Sequence, residues 1–210
     1  MIEKAATMNA RRPHVFTLGY ATHSIEEFIA LLKRHGVTAV ADVRSQPYSR
    51  VLEFGREALA AALKASGIEY MFLGRELGAR RDEKDCYVNG QVVYERVAEL
   101  RLFQEGLTRL ARAAAKFNVA VMCAEKDPID CHRTVLICRR LRKLGFSIQH
   151  ILADGSLEEH ESTEKRLVEQ THLGATLFDF GLPFAERVER AYEARGREIA
   201  YRQDREGEPP

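Results

Sequence analysis

The chain contains no tryptophan, no long apolar run and almost no net charge, with 32 Lys and Arg against 31 Asp and Glu for a formal +1. Each absence excludes something. Without tryptophan, large aromatic volume in the core has to come from ten Phe and seven Tyr. No apolar stretch approaches the roughly 20 residues that a bilayer-spanning helix needs, so no membrane span is expected. The balanced charge removes any whole-molecule argument for nucleic acid, although a local basic patch remains open. No apolar stretch follows the charges near Arg12 and Pro13, so residues 1–13 read as a short flexible lead-in rather than a secretory signal. No internal repeat or low-complexity segment stands out.

What is present is an ordinary globular composition. With 210 residues, 45% hydrophobic and 30% charged, the chain is long enough for one substantial core. One domain over 14–203 is expected, followed by a frayed tail at 204–210. Four cysteines, Cys86, Cys123, Cys131 and Cys138, allow three disulfide connectivities. A core of this size needs none of them, so a reduced, cytoplasmic protein is the expectation.

The order of elements predicts an α/β fold. Val15 to Leu18 reads as a strand ending at Gly19, and Ser24 with Glu27 has the spacing of a capping box. Ile25, Phe28, Ile29 and Leu32 recur at helical intervals up to Gly36. Strands over 37–43 and 68–73 then flank a helix over 56–66. The polar stretch 74–90 reads as a solvated connection with a local apolar anchor, or else a lid. Helix follows to about Lys116, broken near Gly106. The pattern continues with a strand over 119–122, a turn-rich loop over 123–130, a helix over 131–144 and a strand over 146–152. Beyond it, 158–170 reads as a charged helix, and Leu173 to Phe184 as an apolar segment that covers an edge or closes the core. Phe184 to Tyr192 starts a last helix. Strands alternating with helices favour a mainly parallel central sheet covered by helices, a three-layer architecture.

Chemistry concentrates at the strand-loop-helix from Cys123 to Arg133. A cysteine at a strand end becomes a nucleophile where positive charge and N–H groups stabilise its thiolate. Cys123 is the first choice, since a strand fixes it, and Cys131 the alternative, being nearer the helix start. His132 either transfers a proton or makes a structural hydrogen bond. Arg133 either holds an anion or pairs with Glu125 or Asp127, and Asp130 is expected to cap the helix. Cys138 is expected in the core. Asp42 and Arg44 follow a buried-looking strand and meet the Cys123 loop across a crevice, or simply form an ion pair. Cys123, Cys131 and His132 also offer ligands for zinc or a similar metal. Their spacing is not a close CxxC pair and no fourth ligand is evident, so neither metal nor cofactor is assigned.

The ordered set Thr17-Leu18-Gly19-Tyr20, Thr22-His23-Ser24, Asp42-Val43-Arg44, Leu73 to Gly78, Cys123-Ala124-Glu125-Lys126 and Cys131-His132-Arg133 resembles the domain-of-unknown-function 488 family over roughly residues 14–155. The resemblance implies site positions at His23, Asp42, Arg44, Cys123, Glu125, Cys131, His132 and Arg133, without a reaction. Asp42-Val43-Arg44 followed by the Cys123 unit also resembles, more weakly, the ordering in rhodanese-like sulfurtransferases. That likeness implies Cys123 as nucleophile with Arg133 and loop N–H groups around it. The long loop with a second thiol departs from a compact rhodanese loop.

The leading functional expectation is an enzyme in which Cys123 attacks or carries a small electrophilic or anionic group, Arg133 stabilises charge, His132 manages a proton and Cys131 resolves an intermediate. The alternatives are a metal-binding domain or a nucleic-acid or nucleotide-binding module using Arg44, Arg50, Arg56, Arg75, Arg80, Arg81 and Arg133. The same arginines can equally face acidic neighbours. Oligomeric state is not legible.

Overall fold

The computed structural model describes residues 12–171 and 181–203. The lead-in up to residue 11, residues 173–180 of the apolar segment and the tail 204–210 lie outside the described residues.

Five parallel strands form the body of one sheet: β1 (His14–Gly19), β2 (Ala39–Asp42), β3 (Glu69–Phe72), β6 (Val119–Cys123) and β7 (Ser147–Ile151), with β8 (Leu157–Glu159) antiparallel at one edge. Their order is β3-β2-β6-β1-β7-β8, and a separate hairpin pairs β4 (Tyr87–Val88) with β5 (Gln91–Val92). The strand leading into the Cys123 loop therefore sits in the middle of the sheet, between β2 and β1. All five of its residues are buried, which is why Val119 to Cys123 reads as an uninterrupted apolar run rather than an alternating one.

Alternation along the strands assigns the two faces. On one, Leu18, Val40, Ala120 and Met122 pack against α1 (Ile25–Arg34) and α2 (Arg56–Ala65) through Phe28, Leu32, Leu59 and Leu63. On the other, Val15, Ala41, Val121 and Cys123 meet α4 (Tyr94–Glu99), α5 (Arg101–Ala114), α7 (His160–Gln170) and α8 (Phe184–Ile199). The mainly parallel three-layer α/β architecture is thus what the chain forms. Each buried Leu or Phe contributes about 1.5–3 kcal/mol relative to leaving it in water.

The Ser24–Glu27 capping box is made, Ser24 Oγ accepting from Glu27 N at 3.2 Å and Glu27 Oε2 from Ser24 N at 2.9 Å. Four expectations change. Helix breaks at the extended Leu100 and runs unbroken through Gly106, where glycine admits close packing of α3 (Gly74–Leu77), since an added Cβ would lie 2.6 Å from Glu76 Cβ. The start of the charged 158–170 segment becomes β8, which extends the sheet before α7 begins. The helix over 131–144 is a π-helical stretch over Arg133–Cys138 continuing into α6 (Arg139–Lys143). The last helix runs on to Ile199. The 74–90 connection carries its apolar anchor at Cys86, which is buried.

Candidate functional site

The loop after β6 is held on three sides. Asp127 caps the short 3-10 turn at Pro128–Asp130, accepting from Ile129 N at 2.9 Å, so Asp127 and not Asp130 caps here. Arg166 from α7 grips Asp127 at 2.7 and 3.1 Å while also holding Glu158. Asp130 instead pairs with Arg195 of α8. Gly19, at the end of β1, lets the loop approach closely, since a Cβ there would sit 1.8 Å from the Glu125 carbonyl oxygen.

Arg133 forms the inner strut. Its side chain has no solvent exposure, and it donates from Nη1 to the Glu125 carbonyl at 2.7 Å and from Nη2 to the Lys126 carbonyl at 3.3 Å. A buried guanidinium demands compensating negative charge. Among the described residues no carboxylate forms an ion pair with it; burial works against its charge, and the neighbouring Cys131 answers it first. Arg133 thus fixes the loop and charges its interior, rather than presenting a fork to an incoming anion.

Four side chains converge inside this frame. One donor atom each from Cys123, Glu125, Cys131 and His132 lies within 4.8 Å of all the others. His132 Nδ1 stands 3.7 Å from Cys123 Sγ and 3.8 Å from Cys131 Sγ, while Cys131 Sγ lies 2.8 Å from Glu125 Oε2. The second imidazole nitrogen, Nε2, is 3.1 Å from the Val43 carbonyl oxygen. A carbonyl only accepts, so this contact puts the proton on Nε2 and turns the Nδ1 lone pair towards both sulfurs. Cys123, Cys131 and His132 are buried, and Glu125 retains solvent access.

The electrostatics follow from burial and from these contacts. Burial works against a Cys131 thiolate, but a hydrogen bond from Cys123 and the Arg133 charge outweigh it, and the thiol falls well below its ordinary range. The same hydrogen bond, reinforced by burial, pushes the Cys123 thiol up. Burial and the neighbouring Cys131 charge raise Glu125, and contact with Cys131 raises His132 despite its burial. Within the pair, Cys131 is the thiol held down and Cys123 the one pushed up.

This constellation belongs to a known family. A family described as Domain of unknown function DUF488 matches residues 24–139. The chain belongs to the DUF488 family. No curated protein and no solved structure matches it, so the likeness to rhodanese-like domains stays one of element order. Among the described residues, no helix of this DUF488 chain is long and apolar enough to cross a membrane.

The remaining sequence-flagged positions separate. Asp42 and Arg44 pair with each other, Arg44 Nη2 reaching Asp42 Oδ2 at 2.6 Å and Arg44 Nη1 the Phe54 carbonyl at 2.8 Å. They do not meet Cys123, and the reason is strand parity. Register aligns Ala41 with Val121 and Asp42 with Met122, so the Asp42 side chain shares the face of Met122, opposite Cys123. Val43, between them, lies on the Cys123 face and offers its carbonyl to His132. His23 is half-buried outside the cluster, its Nε2 without a hydrogen-bond partner, and burial lowers its pKa. Cys138 is buried in the core, as expected.

Sequence reading missed the fourth donor, Glu125, as a ligand, although the family resemblance had marked the position. It also missed a buried chain from Thr17 to Glu164. Thr17 Oγ1 meets His150 Nδ1 at 2.8 Å, His150 Nε2 meets His160 Nδ1 at 2.9 Å, His160 Nε2 meets Tyr192 Oη at 3.0 Å, and Tyr192 donates to Glu164 at 2.8 Å. His150 is committed to this chain.

Proposed function

We propose that Cys123, Glu125, Cys131 and His132 hold one zinc-class metal ion, and that this centre assists attack of water on a small electrophile. One observation carries the reading: four donors of the right type converge while the remaining imidazole nitrogen of His132 is anchored on a backbone carbonyl. That anchor is the outer contact that metal-bound histidines use to fix their ring and tautomer. With zinc-to-sulfur bonds of about 2.3 Å and zinc-to-nitrogen bonds of about 2.0–2.1 Å, a tetrahedral site separates sulfur from nitrogen by roughly 3.5 Å. The 3.7 and 3.8 Å separations of His132 from the two sulfurs fit that edge. The 2.8 Å contact from Cys131 to Glu125 is tighter, so this pair spreads when an ion enters.

Charge fits too. Two thiolates and a carboxylate, set against a divalent ion and the buried Arg133 guanidinium, sum to zero. Cys123, Cys131 and His132, the three buried donors, would grip such an ion, which would supply Lewis-acid activation of water. Glu125, the donor with solvent access, would be the carboxylate placed to take the proton from that water, as the non-ligand glutamate of zinc deaminases does.

A second reading has its own support. The lowered Cys131 thiol, beside an N–H donated by Arg133 at 3.4 Å, favours cysteine-dependent transfer without metal. Cobalt substitution separates the two. Protein stripped by chelator and titrated with Co²⁺ is expected to bind one ion per chain with intense thiolate-to-cobalt charge-transfer absorption. Cys123→Ser, Cys131→Ser and His132→Ala should lose this signal, while Cys138→Ala retains it. No charge-transfer band, together with selective fast alkylation of Cys131, would replace the metal by the thiolate reading.

A further inference from the structure

A second concave site opens at the same edge of the sheet, away from the four donors. It encloses about 430 Å³. Its floor is the chain just past β2 and β3, where Ser45, Gln46 and Gly74 lie, and its walls include Phe72, Arg75, Arg80 and Tyr201. The crevice beyond the carboxyl ends of parallel strands is where α/β sheets habitually take ligands. The floor is tightly built, because a Cβ on Gly74 would lie 1.9 Å from the Arg44 carbonyl oxygen.

The charges around this cavity are unevenly matched. Arg81 is internally satisfied, pairing with Glu83 at 2.7 Å and donating to the Arg75 and Glu76 carbonyls, so it braces the wall. Among the described residues the Arg80 guanidinium has one hydrogen-bond partner, the neutral Gln46 at 3.2 Å, and it lies over the Tyr201 ring at 4.6 Å. Arg75 is exposed, and its side chain has no carboxylate partner among the described residues. Two uncompensated guanidinium groups thus face a cavity whose one unpaired acid among the lining residues is Asp82.

We infer that this cavity binds a small hydroxylated phosphate monoester. Arg75 and Arg80 take the phosphate through planar N–H forks, which suit tetrahedral oxyanions. Asp82, an acceptor when ionised, takes a sugar-type hydroxyl and repels a second anionic group, which restricts the ligand to one phosphate. The inference stands on the cavity alone and does not require the metal centre. Of the arginines in the sequence reading, Arg44, Arg81 and Arg133 are occupied within the fold, while Arg75 and Arg80 line this pocket.

The test is calorimetric titration of the full chain with ribose 5-phosphate, ribose and inorganic phosphate, repeated after chelator treatment. Ribose 5-phosphate is expected to bind more tightly than inorganic phosphate, and ribose not at all. Arg75→Ala and Arg80→Ala should each weaken binding about tenfold or more, the usual order for losing one charge-assisted contact. Asp82→Asn should erase the preference for ribose 5-phosphate over inorganic phosphate. Chelator treatment should leave every value unchanged, which separates failure here from failure of the metal reading. Absence of binding at millimolar ligand, or affinity indifferent to both arginine variants with folding intact by circular dichroism, overturns the proposal.

Discussion

At the scale of single residues, the site depends on groups whose role is to satisfy buried backbone. Arg133 is the clearest, since its two terminal nitrogens occupy two loop carbonyls. Lysine keeps the charge but not the fork, so Arg133→Lys is expected to cost about 2 kcal/mol through an unsatisfied acceptor and to loosen the loop. Urea denaturation reads the first effect; cobalt affinity reads the second, and an unchanged affinity would show that the loop holds its shape without the strut. Gly19→Ala acts from the other side. Its methyl group has to displace the Glu125 carbonyl, and a loss of about 3 kcal/mol with loss of metal binding is expected. A variant that melts like the parent and keeps its ion would mean the loop has slack.

These residues also show what sequence made legible. Cys123, Cys131, His132 and Arg133 stand out by type and proximity, and they do assemble. Glu125 was marked by family resemblance, but its meeting with Cys131 depends on the loop doubling back over β1, which Gly19 permits and no local pattern announces. Arg133 was legible as a cation and not as a strut, because exposure decides that difference.

At the scale of elements, the buried chain from Thr17 to Glu164 ties β1, β7, α7 and α8 together. The contacts set one neutral arrangement: His160 donates from Nε2 to Tyr192 and accepts at Nδ1 from His150, which accepts in turn from Thr17. A proton added to His160 Nδ1 would face the N–H of His150. Burial accordingly holds His160 down to about 4 and His150 well below its ordinary value. Unfolded histidine titrates near 6.5, so folding favours the neutral forms. The stability this contributes is complete above pH ~6.5 and drains away as pH falls from there towards 4. Urea midpoints should therefore decline across that interval, and His160→Gln should flatten the decline; identical slopes in parent and variant would assign the loss to other groups.

Glu189 performs a comparable task for α8, accepting from Arg139, Arg142 and Lys143 across to the helix after the Cys123 loop. Removing it leaves the nearly buried Arg139 with Glu95 and a longer contact to Glu193. Glu189→Ala is expected to cost about 1–2 kcal/mol, discounted for its partial exposure. Hydrogen exchange over Phe184–Ile199 should quicken more than over β6; uniform quickening would indicate a global rather than a local tie.

At the scale of the whole molecule, alternating strand and helix patterns determined the three-layer α/β class and the mainly parallel sheet, because hydrophobic period and capping are local properties. Strand boundaries followed to within a few residues, and the central apolar run of β6 already announced burial on both sides. Order within the sheet is a different matter. That β6 inserts between β2 and β1, and that register sets Asp42 beside Met122, depends on pairings between residues far apart along the chain. Those pairings send Asp42 and Arg44 to the face opposite Cys123, and bring the Val43 carbonyl to His132. Sequence by itself determined which side chains carry chemistry and which elements deliver them. Tertiary structure decided which of them meet, since a strand's period of two gives each side chain a face while only long-range pairing says what lies across from it.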